Sequence, residues 1–145
     1  MNKPAPAPRT AYPHFLAIGT RWMDNDVYGH VNNVVYYSYF DTVVNEYLIR
    51  AGVLHIEHSS TIGLVVETRC NFFAPVVFPE PIEAGLRVEK LGNTSVRYEV
   101  AIFAKGSDEA AAQGHFVHVY VDRVTRRPVP LPEPLVAVLK PLITG

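Results

Sequence analysis

Between Arg21 and Asn33 the chain reads RWMDNDVYGHVNN. Two aspartates, a glycine, a histidine and two asparagines fall within this stretch, directly ahead of a long apolar run. Asp24-x-Asp26-x-x-Gly29 matches the opening of a calcium loop, where alternate carboxylates converge on the ion and glycine permits the sharp turn. The match ends there. The next expected ligand position is Tyr28, and Val35 stands where a bidentate glutamate is required. A zinc site would pair His30 with Asp24 or Asp26, yet it lacks a nearby second histidine or a cysteine to complete a tetrahedron. No metal is therefore expected.

Two readings remain from the residues. In the structural one, Asp24 and Asp26 satisfy loop amides, Gly29 supplies a positive φ, His30 bonds a carbonyl, and Asn32 or Asn33 caps the helix that follows. In the catalytic one, a carboxylate held just before a helix sits beside unpaired backbone N–H groups and the positive end of the helix dipole. Those amides can hold the oxyanion that forms when a carbonyl is attacked, and the carboxylate can act as nucleophile or as base for water.

The elements that must position this loop follow from hydrophobic periodicity. Residues 14–22 read as a first strand. From Asn33 to Ala51, apolar side chains recur at Tyr36, Phe40, Val43 and Tyr47 with Val44 and Leu48 beside them, which is helical spacing, and Gly52 suits the left-handed position past the end. The stripe is wide enough to imply a mostly enclosed helix. Residues 60–78 are rich in β-branched and aromatic residues, and residues 80–92, 96–105 and 110–124 alternate as strands joined by short Gly, Asn or Asp turns. One long helix and about five antiparallel strands give an α+β fold in which a sheet wraps around a central helix. Such a sheet leaves edges and a face to cover, so self-association is expected. Residues 1–10 read as a loose tail, residues 11–145 as a single domain, and the proline-rich segment from about 128 as irregular, with Leu135 to Leu139 able to form a short turn.

Composition removes several function classes. With 13 basic and 14 acidic side chains the net charge is −1, without the extended basic field that nucleic-acid binding uses. The lone Cys70 excludes an intramolecular disulfide, no apolar run is long enough to span a membrane, and no signal-type h-region is seen, so a reducing cytoplasm is the default expectation. Arg123, Arg126 and Arg127 form the one local basic run, read either as a solvated strand end or as a contact for a phosphate-bearing ligand.

The run DNDVYGHVNNVVYYSYFD, continued by FFAPVVFPEPIEAGLRVEKLGNTSVRYEV and ending in VHVYVDRVTRRPVPLP, resembles the hot-dog-fold acyl-CoA thioesterases of the 4-hydroxybenzoyl-CoA thioesterase type over about residues 14–132. The resemblance implies a hot-dog fold, assembly as dimers or tetramers with sites at subunit interfaces, an acyl-CoA substrate and no cofactor beyond the coenzyme A that the substrate carries. Carried over by position, Asp26 is the catalytic carboxylate, the Asn33 amide polarises the thioester carbonyl, and Gly29 and its neighbours shape the oxyanion site. His30 and Asn33 depart from the hydroxybenzoyl type, which has an apolar residue and a tyrosine there, so the departure puts an aromatic acyl group in doubt. His30 is left with a positioning role for the loop or a water.

In the same light Tyr36 and Tyr37 can line an acyl pocket or pack in the core, and Arg123, Arg126 and Arg127 become candidates for coenzyme A phosphates, with Arg87 and Lys90 behind them. A related branch of the fold places its acid on the helix, for which Asp41 and Glu46 are the candidates; Glu46 reads as an i,i+4 partner of Arg50. His115 and His118 fall on opposite faces of the last strand and cannot share a site. Two rivals stay in view: a hot-dog enoyl-CoA hydratase, whose usual Asp-x-Asn-Pro-x-His is absent here, and a non-catalytic acyl-CoA or acyl-carrier-protein binding module.

Overall fold

The computed structural model describes residues 4–144. Five antiparallel strands form one sheet in the order β1 (His14–Ile18), β3 (Ile82–Leu91), β4 (Ser95–Ala104), β5 (Ala112–Asp122) and β2 (Thr61–Phe72). A long helix, α1 (Asn33–Arg50), lies on one face. This is the hot-dog arrangement that the sequence implied.

α1 starts where a side chain satisfies its first turn. Asn32 Oδ1 accepts from the Val34 amide at 3.0 Å, and Asn32's carbonyl accepts from the Val35 amide at 2.9 Å. It ends at Gly52, whose φ of 77° lets the amide fold back onto Ile49's carbonyl. Between those ends Phe40, Val43 and Val44 are fully buried. They meet the inward row of β4, which includes Val96, Tyr98, Val100 and Ile102, and the row Phe116, His118 and Tyr120 of β5. The partner expected for Arg50 is present: its Nε bonds Glu46 one turn earlier. No described helix is long and apolar enough to cross a membrane.

Three expectations change. The first strand stops at Ile18 instead of running to residue 22, and Trp22–Asp24 forms a short 3-10 turn because Asp24 folds back onto the Arg21 amide. The tail expected to be loose is tied down from Ala5 onward: Ala5's carbonyl accepts from Gln113 Nε2 at 3.0 Å, Ala7's amide donates to Gln113 Oε1 at 2.7 Å, and Arg9 bonds Glu83 at 2.7 Å while its guanidinium lies over Phe103. This segment covers a second apolar cluster, Tyr12, Ala101, Phe103 and Ala110, on the face away from α1. Residues 1–3 lie outside the described residues. The C-terminal segment is not irregular throughout, since Glu133–Leu139 forms a second helix, α2. Pro134 sits in its first turn, where a missing N–H costs nothing, and Leu135 and Leu139 share the buried side.

His118 is 4% exposed, and neither ring nitrogen meets a partner among the described residues. Tyr98, Phe116 and Tyr120 surround it, with ring centroids 5.0, 5.7 and 6.1 Å away. Burial pushes its pKa from 6.5 down to about 4. Above 6.5 the ring is neutral in both folded and unfolded chains. Below it the unfolded chain takes up the proton first, so stability is lost as the pH falls from about 6.5 through about 4, by an upper limit of about 3 kcal/mol. Urea unfolding followed from pH 7 to pH 4 should show this decline, and His118→Leu should flatten it.

Candidate active site

The loop ahead of α1 is held by one buried carboxylate. Asp24, 1% exposed, accepts through Oδ2 from the Arg21 amide and from the Tyr39 hydroxyl, both at 2.9 Å, and through Oδ1 from Arg21 Nε at 3.0 Å. Burial opposes its ionisation. The Arg21 amide, the Tyr39 hydroxyl and the Arg21 guanidinium together outweigh that and hold the carboxyl below its usual range. Burial, reinforced by the bond to Asp24, pushes the Tyr39 phenol above its usual value. The carbonyl of Asp24 accepts from the Asn32 amide at 2.8 Å, so the same residue ties the loop to the helix cap.

Asp26 follows on the other side of a short antiparallel crossing. Asn25 faces Val31, the Asp26 amide donates to His30's carbonyl at 2.9 Å, and the Gly29 amide donates to Asp26's carbonyl at 3.1 Å. Gly29 has φ 83°, the left-handed conformation that such a turn needs and that side chains resist. The Asp26 side chain uses Oδ1 to accept from the Tyr28 amide at 2.8 Å. Its Oδ2 has no partner among the described residues. One residue beyond the crossing is Asn33, first in α1, whose amide meets no acceptor among the described residues. A half-engaged carboxylate and a free helix-start amide therefore sit at one end of α1. Asp26 lies in the loop and Asn33 opens the helix seven residues later, while His30 contributes its backbone carbonyl and leaves its ring exposed.

Exposed apolar side chains ring this end: Trp22, Met23, Val27, Tyr28 and Val34. Asp26, Gly29 and Asn32 line an open depression among the first four of them. Two further hydrogen bonds fix the loop to the chain after β2, one between backbones from the Val31 amide to Val76's carbonyl at 2.9 Å and one from the Phe78 amide to the Asn25 side-chain Oδ1 at 3.2 Å.

The other candidates are scattered. Tyr36 is buried against Phe72, 5.0 Å between ring centroids, and half-buried Tyr37 stacks edge-on to Phe40, so both rings pack the core. Arg123 is engaged by backbone, with Nε on Ser59's carbonyl and Nη2 on Ile56's carbonyl, each at 2.6 Å. That corrects its expected freedom to meet phosphates: a guanidinium already bonded to carbonyls is a loop staple. Arg126 and Arg127 are exposed in the turn after β5, Arg126 at φ 63°. They stand at the far end of β5 from the Asp26 loop of the same chain, roughly 30 Å along the strand. Asp41 is exposed on α1. Cys70 is half-buried and its thiol is pushed up to about 12 by burial, which removes it as a nucleophile. His115 and His118 occupy opposite faces, His115 bridging Glu67 at 2.6 Å and Arg97 at 3.1 Å. Among the described residues no three His, Cys, Asp or Glu side chains gather as a metal-ligand set. The tie between Asp24 and Tyr39 was not foreseen; its signal is a large tyrosine on the buried face of α1, whose hydroxyl must find a partner inside.

The fold is shared with known proteins. The PA5185 protein of Pseudomonas aeruginosa strain PAO1 is 55% identical, with a TM-score of 0.94 over 98% of this chain and 99% of that one. A thioesterase of Thermus thermophilus, solved with coenzyme A and zinc, is 29% identical with a TM-score of 0.76, covering 89% of this chain and 98% of its own. Slr0204 of Synechocystis, a 1,4-dihydroxy-2-naphthoyl-CoA thioesterase, shares the fold at 17% identity and TM-score 0.78, over 86% of this chain and 93% of that one. YsmA of Bacillus subtilis (strain 168) is 24% identical over 88 residues, 61% of this chain and 59% of that protein's length. The profile of the thioesterase-like superfamily matches residues 20–139, and the chain belongs to that superfamily, the class of thioester hydrolases that its loop and helix suggested.

Proposed function

We propose that the protein hydrolyses an acyl-CoA thioester to a free acid and coenzyme A, with Asp26 as its catalytic carboxylate. The observation that carries this is Asp26 itself: one oxygen is fixed by the Tyr28 amide, the other has no partner among the described residues, and the loop that holds it leads into the start of α1, where the Asn33 amide is unspent. A carbonyl seated there is polarised by the Asn33 amide, within a turn shaped by Gly29, and the helix dipole favours the negative charge that develops. Asp26 then acts in one of two ways. As nucleophile it bonds to the carbonyl carbon and expels the thiolate, leaving an anhydride that water cleaves; as base it takes a proton from the water that attacks. Neither route needs a metal or a further cofactor.

The coenzyme A bound to the Thermus thermophilus thioesterase supports a carrier of that kind. Its phosphates suit Arg126 and Arg127, which are exposed and salt-bridge no carboxylate among the described residues. Since these lie far from Asp26 in their own chain, they serve a neighbouring subunit's site. The protein thus works as a homodimer or homotetramer, a reading supported by the exposed apolar ring around Asp26 and by the outer edge of β2, which no strand covers among the described residues. Tyr36 and Tyr37 then support the acyl side of the site from within the core. A reducing cytoplasm suits the lone Cys70.

Asp26→Asn should lower kcat by at least about a hundred-fold with the fold and oligomer unchanged, measured as free thiol released from a panel of acyl-CoAs. Near-normal release on every acyl group would refute the assignment, and loss of enoyl absorbance without thiol would indicate a hydratase. Tyr39→Phe removes a donor from the buried Asp24 carboxylate. It should cost roughly 1–3 kcal/mol in denaturant unfolding and reduce kcat by loosening the loop. Replacing Arg126 and Arg127 together by Glu should raise KM for acyl-CoA by about ten-fold or more, while KM for the matching acyl-pantetheine changes little.

A further inference from the structure

Asp24, Asn25 and Asp26 are consecutive, and their side chains do three different things. Asp24 bonds Arg21 and Tyr39 in the interior, Asp26 bonds only the Tyr28 amide, and Asn25 reaches across to the segment that follows β2. That segment, residues 76–80, meets the loop at three hydrogen bonds. Thr20 Oγ1 donates to Glu80's carbonyl at 2.8 Å, the Phe78 amide donates to Asn25 Oδ1 at 3.2 Å, and the Val31 amide donates to Val76's carbonyl at 2.9 Å. The Trp22 ring adds an edge-on contact to Phe78, with 6.0 Å between centroids.

The three bonds are not equivalent. Thr20 lies ahead of the loop, whereas Asn25 and Val31 face each other as the bridge that closes the turn over residues 26–30. Val31 is anchored to the segment through its backbone amide. Asn25 is anchored through its side chain, because its own amide is spent on Trp22's carbonyl at 3.4 Å. The turn that carries Asp26 therefore hangs from two anchors, and one of them is a side chain. Within the turn the Asp26 amide, carbonyl and carboxylate are each bonded to a neighbour, to His30's carbonyl, the Gly29 amide and the Tyr28 amide, so a shift of the bridge is passed to the carboxylate. A misplacement on the order of 1 Å can slow an oriented reaction by about a hundred-fold.

The chemistry of the contact says which atom of Asn25 works. A backbone N–H can only donate, so the atom that faces the Phe78 amide is the oxygen, and the NH2 group turns the other way. We propose that Asn25 is a positioning residue of the active site: its Oδ1, held by the Phe78 amide, fixes the turn that aims Asp26. The proposal rests on the thioesterase reading above. It adds a second restraint to the one Asp24 supplies, since Asp24 ties the loop to α1 and Asn25 ties it to the chain beyond β2.

Two matched variants isolate the oxygen. Asn25→Leu keeps the size and removes it; Asn25→Asp keeps it and removes the NH2 group. Measured as thiol release, Asn25→Leu should lower kcat by about ten-fold or more with KM within about two-fold, and Asn25→Asp should retain kcat within about three-fold. Asn25→Ala takes the place of the leucine variant if that one does not fold, with the same loss expected. Thr20→Val cuts the bond to Glu80 at the remote end. It should lower the urea midpoint at least as far as Asn25→Leu does and keep kcat within about two-fold. A wild-type kcat in Asn25→Leu, equal losses in the leucine and aspartate variants, or an equal loss in Thr20→Val overturns the proposal. Amide hydrogen exchange over residues 26–31, followed by mass spectrometry, reads the turn without substrate. It should quicken in Asn25→Leu and keep its wild-type rate in Asn25→Asp and Thr20→Val. Unchanged exchange in a folded Asn25→Leu protein also overturns the proposal. Quickened exchange, in a protein whose wild type releases no thiol from any acyl-CoA, keeps the anchor and refutes the hydrolase.

Discussion

A carboxylate taken fully into the protein interior must be matched by donors, and Asp24 is matched from two directions. Arg21 closes the loop behind it, and Tyr39 reaches it from the second turn of α1. Its carbonyl meanwhile receives the amide of Asn32, the residue that caps the helix. Loop, cap and helix are thereby locked as one unit. Asp26 owes its place to this lock: it lies on a tight turn anchored at one end by Asp24 and at the other by Asn32. The first aspartate of the motif holds the second in place, and the second keeps an oxygen open.

The rest of the architecture makes that end of the helix available. α1 buries its middle under the sheet, where Phe40, Val43 and Val44 exclude solvent completely, and leaves its first turn at the surface. Burial of the helix body and exposure of its start are complementary demands. A dry stem aligns the peptide dipoles rigidly, and an open start leaves the first-turn amides accessible. Exposed apolar side chains ring the loop, and among the described residues no strand covers the outer edge of β2.

Several elements followed from local sequence because local physics decides them. The capping asparagine, the glycine past the helix end and the wide apolar stripe located α1 to within one residue, at Asn33–Arg50 against an expected 33–51. Alternation and turn residues located β3, β4 and β5 to within two residues, whereas β2 stops at Phe72, well short of the expected end at residue 78. Where tertiary contacts outweigh local preference, the reading fell short. Prolines near the C-terminus suggested irregular chain, yet Pro134 sits at the one helical position that tolerates it and two leucines have a core to fill. Ala and Pro near the N-terminus suggested a loose tail, yet Arg9 finds Glu83 and two phenylalanines that only the folded sheet assembles. The arginine run looked uniform, and the fold divides it: Arg123 is bound to backbone while Arg126 and Arg127 are exposed.

The sequence by itself determined the fold class, the position of the helix and the identity of the loop that carries Asp26, Gly29 and Asn33, since caps, turns and periodicity are written in neighbouring residues. Only the tertiary structure decided which groups stand together in space: Tyr39 on Asp24, Arg123 on the Ile56 and Ser59 carbonyls, and the arginines at the end of the sheet remote from the carboxylate that they were expected to accompany. Those distances depend on how an antiparallel strand runs back past its helix, a property of the assembled sheet that no local stretch of residues contains.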